Sequence, residues 1–105
     1  MRDRKGIILI AFDLPTETSE NRSDYRKFRS YLIKNGYIMF QESIYYKIIK
    51  NTLNSSKEIR EVSVNSPRDG NIIALPLTIN ELYKIRTIKG KGFDMEELTE
   101  DVFFY

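Results

Sequence analysis

Short uninterrupted apolar runs alternate along the chain with stretches in which apolar residues recur every three or four positions. Residues 7–12 and 72–77 are apolar runs of strand length, the form expected of buried strands. Between them, residues 37–41 and 43–49 are rich in β-branched and aromatic side chains and are separated only by Glu42. This spacing predicts a tight hairpin or one strongly bent strand pair.

A first helix is predicted over residues 21–35. Ser19 or Ser23 is expected to cap its start, and the pair Asn35-Gly36 is typical of a left-handed C-cap at its end. Its apolar residues recur at helical spacing and define one face: Tyr25, Phe28 and Leu32. The opposite face of the helix is basic.

A second, weaker helix is predicted over residues 52–66, closed by Pro67. Leu53, Ile59 and Val62 are expected to face inward because they share one side of such a helix. In the strand that follows, Pro76 favours the end of the pairing or a sheet edge.

The order strand, helix, strand, strand, helix, strand predicts an α+β, ferredoxin-like βαββαβ sandwich. We expect a single domain over residues 1–105, with its core at about 6–77. A tail at about 78–105 is expected to serve dimerisation or partner docking, with a fifth strand at 85–90. Three terminal aromatic residues should contact the partner, because such side chains avoid water: Phe103, Phe104 and Tyr105.

The composition narrows the chemistry and the compartment. Histidine and cysteine are both absent, which excludes Ser-His and thiolate catalysis and the commonest metal ligand. The lack of cysteine suits a reducing compartment, and no apolar run approaches the roughly 18 residues of a membrane span. We therefore expect a cytoplasmic protein with no membrane association.

Asp13 ends the first apolar strand and is the leading candidate for a functional residue. A carboxylate at a rigid strand end can serve as a metal ligand or a general acid or base. The alternative is that Asp13 begins a turn, since an Asp-x-Pro sequence lets the side chain cap nearby N–H groups. A single carboxylate cannot build a hydrolytic site, but two copies related by a twofold axis could share one magnesium ion.

The charges are unevenly distributed around a net charge of +2. The first helix carries a basic face that could follow a phosphate backbone, although a charged face is also what any solvated helix shows. Residues 84–91 add four further cations and no acid. Of Tyr45 and Tyr46, one is expected in the core and one outward, where it could stack on a base. The basic candidates on the helix are Arg22, Arg26, Lys27 and Arg29.

The order of these features resembles the Cas-two family of small CRISPR-associated proteins. An apolar strand ending "FDLP" is followed by an Arg/Lys-rich helix and then by "NGYIMFQESIYY", and the resemblance covers essentially the whole chain. Asp13 matches the metal aspartate of the family, and Ser43 and Tyr45 match the small and aromatic members of its hairpin motif. Glu42 and Phe12 depart from it, since many members have aromatic residues at both positions. The ending "GKGFDMEELTEDVFFY" is similar to members from type II loci.

The resemblance implies a homodimer with exchanged C-terminal strands that partners the CRISPR integrase during spacer acquisition. Its basic surface would carry duplex prespacer DNA, with Arg22, Arg26, Lys27 and Arg29 on phosphates. The family is also described as a magnesium-dependent endonuclease acting on RNA or DNA, with Asp13 and its dimer mate holding the metal.

Two further hypotheses remain open at this stage. A toxin-like endoribonuclease of the VapD kind shares the topology and a strand-end aspartate. A regulatory or small-molecule module on the same fold would instead present an apolar pocket and ignore nucleic acid. Fold alone does not choose among them.

Overall fold

A four-stranded antiparallel sheet forms the framework of the computed structural model, which describes residues 5–92. Two longer helices follow the first and third strands, and a single turn of 3₁₀ helix, Thr52–Asn54, precedes the second. The elements are β1 (Gly6–Asp13), α1 (Ser19–Lys34), β2 (Ile38–Gln41), β3 (Ile44–Ile49), α2 (Ser55–Val64), β4 (Asn71–Thr78) and α3 (Ile79–Tyr83).

The sheet order β2-β3-β1-β4 places β1 in the interior, with β3 and β4 antiparallel on either side. This is the predicted α+β, ferredoxin-like arrangement. Both outer strands are edges, and β4 is the one that carries Pro76, which agrees with the preference of proline for sheet edges.

Side chains alternate between two apolar clusters, one on each face of the sheet. Ile8, Ile10 and Phe12 belong to the larger cluster, where they meet Phe28 and Leu32 of α1. On the other face a smaller cluster lies under α3: Ile7, Phe40, Tyr46 and Leu82. We call this second face the outer face.

The boundaries of α1 differ from the prediction at its start. Thr18, and neither Ser19 nor Ser23, is the N-cap: its hydroxyl accepts from the Asn21 N–H at 3.0 Å, and Asn21 bonds back to the Thr18 N–H. This reciprocal box satisfies two of the N–H groups that a helix start leaves unpaired. The predicted end is confirmed, since Asn35 is the C-cap and Gly36 has φ +89°.

The second helix is shorter than predicted, and Leu53 does not face inward. Asn51 accepts a hydrogen bond from the Leu53 N–H and begins the 3₁₀ turn, so the α-helical register starts only at Ser55. Leu53 is 70% exposed as a result, whereas Val62 is buried as expected.

Residues 85–90, predicted as a fifth strand, form a loop in this single chain. The side chain of Gln41 bonds to the carbonyls of Lys89 and Lys91, so the loop is held by an amide rather than by a strand ladder. Phe103, Phe104 and Tyr105 lie outside the described residues. In the described part of the chain, no helix is long and apolar enough to span a membrane.

Candidate functional site

Asp13 is the last residue of β1, and its side chain is exposed on the outer face of the sheet. It pairs in register with Asn71 of β4, just as Ala11 pairs with Ile73. With Phe12, these four residues line a shallow, open concavity of about 290 Å³. The carboxylate therefore stands at the polar rim of a patch that is otherwise apolar.

Phe12 and the hairpin between β2 and β3 hold the end of β1 in place. The Phe12 N–H donates to the Ser43 carbonyl at 3.0 Å, and Ser43 has φ +66°, which is uncommon outside glycine. The ring of Phe12 stacks on Tyr45 with centroids 5.8 Å apart and meets Phe28 edge-on at 5.2 Å. Ser43 and Tyr45 thus position the residue next to Asp13.

Gly70 packs against the backbone of Asp13 from the β4 side. Its φ is +101°, and a Cβ added there would lie 2.9 Å from the Asp13 carbonyl oxygen and 2.6 Å from Leu14 Cδ2. Both the left-handed conformation and this close approach require glycine. Two connections, the β2–β3 turn and the turn before β4, thus fix the strand end that carries the carboxylate.

The Asp13 carboxylate itself accepts no hydrogen bond and forms no ion pair with any residue of the 5–92 segment. The hypothesis that its side chain caps a local turn is therefore not supported. Its exposure and free oxygens fit a magnesium ligand, since magnesium uses one or two carboxylates together with water. Residues 5–92 contain no group of three or more His, Cys, Asp or Glu side chains that could hold a metal ion, so these residues of one chain do not supply a complete set of protein ligands.

The predicted basic residues of α1 separate into two sets. Arg26 and Lys27, together with Lys34, line an open concavity of about 550 Å³ that also includes Ser23, Ser30 and Tyr31. Among residues 5–92, no acidic side chain lines it. We call the three cations the α1 basic face.

Arg22 and Arg29 are engaged within the fold instead. The Arg22 Nη1 donates to the carbonyls of Thr16 at 3.1 Å and Glu17 at 3.2 Å. The Arg29 Nε donates to the Tyr45 hydroxyl at 3.0 Å. Both guanidinium groups are thereby oriented by internal contacts, and Arg29 is tied to the packing under Phe12.

The adjacent tyrosines lie on opposite faces of the sheet, as predicted, with Tyr45 in the larger cluster and Tyr46 on the outer face, but the prediction that one of them is exposed is wrong. Tyr45 is 2% exposed and Tyr46 is 6% exposed, because the two faces of the sheet are each covered at this point. Neither ring is available to stack on a base.

A partly buried network borders α1 on the α2 side. Glu58 accepts from Lys47 Nζ at 2.9 Å and from the Tyr37 hydroxyl at 3.4 Å. Burial, and after it the charge of Glu58, raises the pKa of Tyr37 well above its ordinary value. The pKa of Tyr31 is raised by burial first, then by Glu61 and Glu58.

Three residues of this region had no functional prediction from the sequence. Asn71 lies across from Asp13 only because of the β4 register, which no local pattern encodes. Gly70 lay within a run typical of a turn, but its contact with Asp13 is a tertiary feature. Lys34 could have been found, because it shares the helical face of Lys27.

Comparison with known proteins identifies the family of this chain. Residues 6–85 match the family model described as CRISPR associated protein Cas2. The chain is 38% identical over 85 residues to the CRISPR-associated endoribonuclease Cas2 of Treponema denticola, covering 81% of this chain and 84% of the relative. The protein of the same description from Ligilactobacillus salivarius is 41% identical over 86 residues, covering 80% and 83%. A third, from Streptococcus mutans, is 36% identical over 84 residues, covering 80% and 78%. With four-fifths of its length matched in this way, the chain belongs to the CRISPR-associated Cas2 family.

Proposed function

We propose that this chain works in CRISPR spacer acquisition as a dimeric subunit that carries duplex DNA for the integrase. We further propose that Asp13, supplied by each of two copies, holds a magnesium ion for phosphodiester hydrolysis. The observation that carries the proposal is the α1 basic face, on which three cations line one concavity with no acid from residues 5–92 among its lining.

Nucleic-acid binding follows from the chemistry of that face. Arg26, Lys27 and Lys34 can each neutralise a backbone phosphate, and Ser23 and Ser30 beside them can donate hydrogen bonds to phosphate oxygens. Contacts of this kind are independent of base sequence and weaken with salt. They suit a subunit that must hold DNA of any sequence.

Dimerisation through the outer face is supported by the apolar side chains that it leaves uncovered. Ile73 is 59% exposed, Leu75 40% and Ile38 42%. Exposed apolar patches of this kind mark interaction surfaces, and a twofold interface is the commonest closed assembly. Because Asp13 lies at the rim of this patch, an axis through it would bring two carboxylates together.

The residues around Asp13 suit a hydrolytic site built from two chains. A bound magnesium ion would supply Lewis-acid stabilisation of the phosphoryl charge and a more acidic water. The Asp13 carboxylate can also orient a water through one oxygen, and the Asn71 amide is placed to offer a further oxygen ligand or an N–H donor. The apolar side chains of Ala11 and Ile73 limit the solvent around that rim.

RNA is the second candidate substrate, because the similar proteins are named endoribonucleases. The family model that matches is CRISPR-associated, which favours an adaptation role over the VapD-like toxin. The small-molecule module needs an enclosed apolar pocket, whereas the concavity beside Asp13 is shallow and open.

The deciding experiment compares wild type with Asp13→Asn, which keeps the side-chain shape. Each is mixed with duplex DNA and single-stranded RNA, with and without magnesium, over a salt series, and binding and cleavage are scored separately. We expect the two proteins to bind DNA equally. Only wild type should cleave, and only when magnesium is present. If both proteins bind equally and neither cleaves, the proposed DNA-binding role stands and the proposed hydrolytic activity is wrong. Absence of salt-dependent binding would overturn the scaffold.

A further inference from the structure

Gln41 joins the end of β2 to the loop that follows α3. Its Nε2 donates to the Lys91 carbonyl at 2.9 Å and to the Lys89 carbonyl at 3.3 Å. A side-chain amide has two N–H donors, so both bonds can form together. Between the two carbonyls, Gly90 has φ +94°, and a Cβ there would lie 3.3 Å from that same nitrogen. We call Gln41 and residues 89–91 the amide clamp.

The strand register places the amide clamp at the end of the sheet that carries Asp13. Gln41 pairs with Ile44, and Ile44 pairs with Ala11, two residues before Asp13. Neighbouring strands lie 4.7–4.9 Å apart, so the clamped end of β2 is roughly 10 Å from β1 across the sheet. The loop therefore lies at the same end of the sheet as the candidate carboxylate, with β3 between β2 and β1.

The clamped loop carries positive charge that faces solvent. Lys89 and Lys91 are both exposed, and neither forms an ion pair within residues 5–92. The stretch from Lys84 to Lys91 contains four cations and no acid. The acid that follows Gln41 in the chain is the exposed Glu42 of the β2–β3 turn.

A phosphate backbone that approaches Asp13 is repelled by the negative charge of its carboxylate. In the proposed dimer, the second Asp13 adds to this repulsion. Cations at the same end of the sheet raise the local positive potential along the path of such a backbone, and this attraction is strongest at low salt. Flexible lysines do this best when the backbone that carries them is already ordered, because less conformational entropy is lost on binding. The two amide hydrogen bonds supply that order.

We propose that Gln41 is a positioning residue that holds Lys89 and Lys91 as a phosphate-binding pair beside Asp13. The ligand is the phosphodiester backbone of a nucleic acid. This inference rests on the proposed nucleic-acid binding, and it assigns the backbone near Asp13 a second contact surface besides the α1 basic face.

The test measures duplex DNA binding over a potassium chloride series with full-length variants. Lys89→Gln combined with Lys91→Gln removes the charges, Gln41→Met removes the donors at similar length, and Lys57→Gln on exposed α2 is the matched control. We expect the double variant to reduce the slope of log K against log salt by about 2. Gln41→Met should weaken binding about 3- to 10-fold with the slope nearly unchanged.

Backbone ¹⁵N relaxation separates positioning from a general structural role. In Gln41→Met, the order parameters of residues 89–91 should fall while those of β1 and β3 stay unchanged. If the double variant binds like Lys57→Gln, or if Gln41→Met binds like wild type, the inference is wrong and the proposed function stands. If wild type binds no nucleic acid, both are wrong.

Discussion

The end of β1 and the α1 basic face are two candidate contact surfaces that differ in how firmly the surrounding fold holds their side chains. The strand end at Asp13 is held by the hydrogen bond from the Phe12 N–H to the Ser43 carbonyl, by the close packing of Gly70 and by the stacked ring of Phe12. Arg26 and Lys27 are exposed side chains on one helix and form no contact that orients them within residues 5–92. The first surface is specified by packing and the second by charge. Substitutions should therefore change stability at the first and binding at the second.

Phe12→Ala should produce the largest effect. The ring is 7% exposed and contacts Tyr25, Phe28 and Tyr45, so its removal should lower the free energy of unfolding by about 3–5 kcal/mol. Urea denaturation measures this value. Arg26→Gln on the α1 basic face is the comparison, and it should stay within about 0.5 kcal/mol of wild type. Equal losses in the two variants would contradict the contrast between the surfaces.

Gly70→Ala should be the next most severe substitution. A side chain at φ +101° costs about 1–2 kcal/mol, and overlap with the Asp13 carbonyl adds about 1–3 kcal/mol. Gly36→Ala is the matched control, because its φ is also positive but the nearest atom, Cε of Lys47, is 3.7 Å away. Denaturation should show the extra loss only at Gly70. Any magnesium-dependent cleavage should fall in Gly70→Ala and survive in Gly36→Ala.

The α1 basic face should respond in binding rather than in stability. Arg26→Gln combined with Lys27→Gln should reduce the salt slope of DNA binding by about 2 with little change in unfolding. Arg29→Gln is the informative counterpart, because it loses the 3.0 Å hydrogen bond to Tyr45 and should cost about 1 kcal/mol of stability. If Arg29→Gln alters DNA binding but not the free energy of unfolding, the stabilising role assigned to its hydrogen bond with Tyr45 is wrong.

A smaller effect is expected at alkaline pH from Tyr37. Its pKa is raised in the folded chain by burial and by Glu58, whereas an unfolded tyrosine titrates near pH 10. Below about pH 10 both states keep the proton. Above it only the unfolded chain releases the proton, so folding weakens as pH rises. Wild type should therefore lose more stability than Tyr37→Phe between pH 9 and 11, and parallel losses in denaturation would refute the assignment.

The same contrast explains how far the sequence could predict this molecule. Periodicity located the four strands and both longer helices, because burial on a strand or helix face leaves a regular pattern. It did not predict that Tyr46 is covered or that residues 85–90 form a loop in the single chain, because these outcomes depend on what packs on the outer face and on the Gln41 amide. Sequence patterns also placed Asp13 at a strand end. They could not show that Asn71 and Gly70 meet it there, since that depends on the register of β4.

The interior place of β1 has a consequence for how the protein is made. The apolar run from Gly6 to Phe12 is synthesised before both of its partner strands, and because Gly6 pairs with Thr78, the sheet cannot close until β4 has been synthesised. Uncharged β-prone segments of this length associate readily with one another while they are unpaired. Contacts between such distant parts of the chain also slow folding. Translation speed through residues 14–78, and chaperones that hold the nascent strand, are therefore expected to set the yield of native protein.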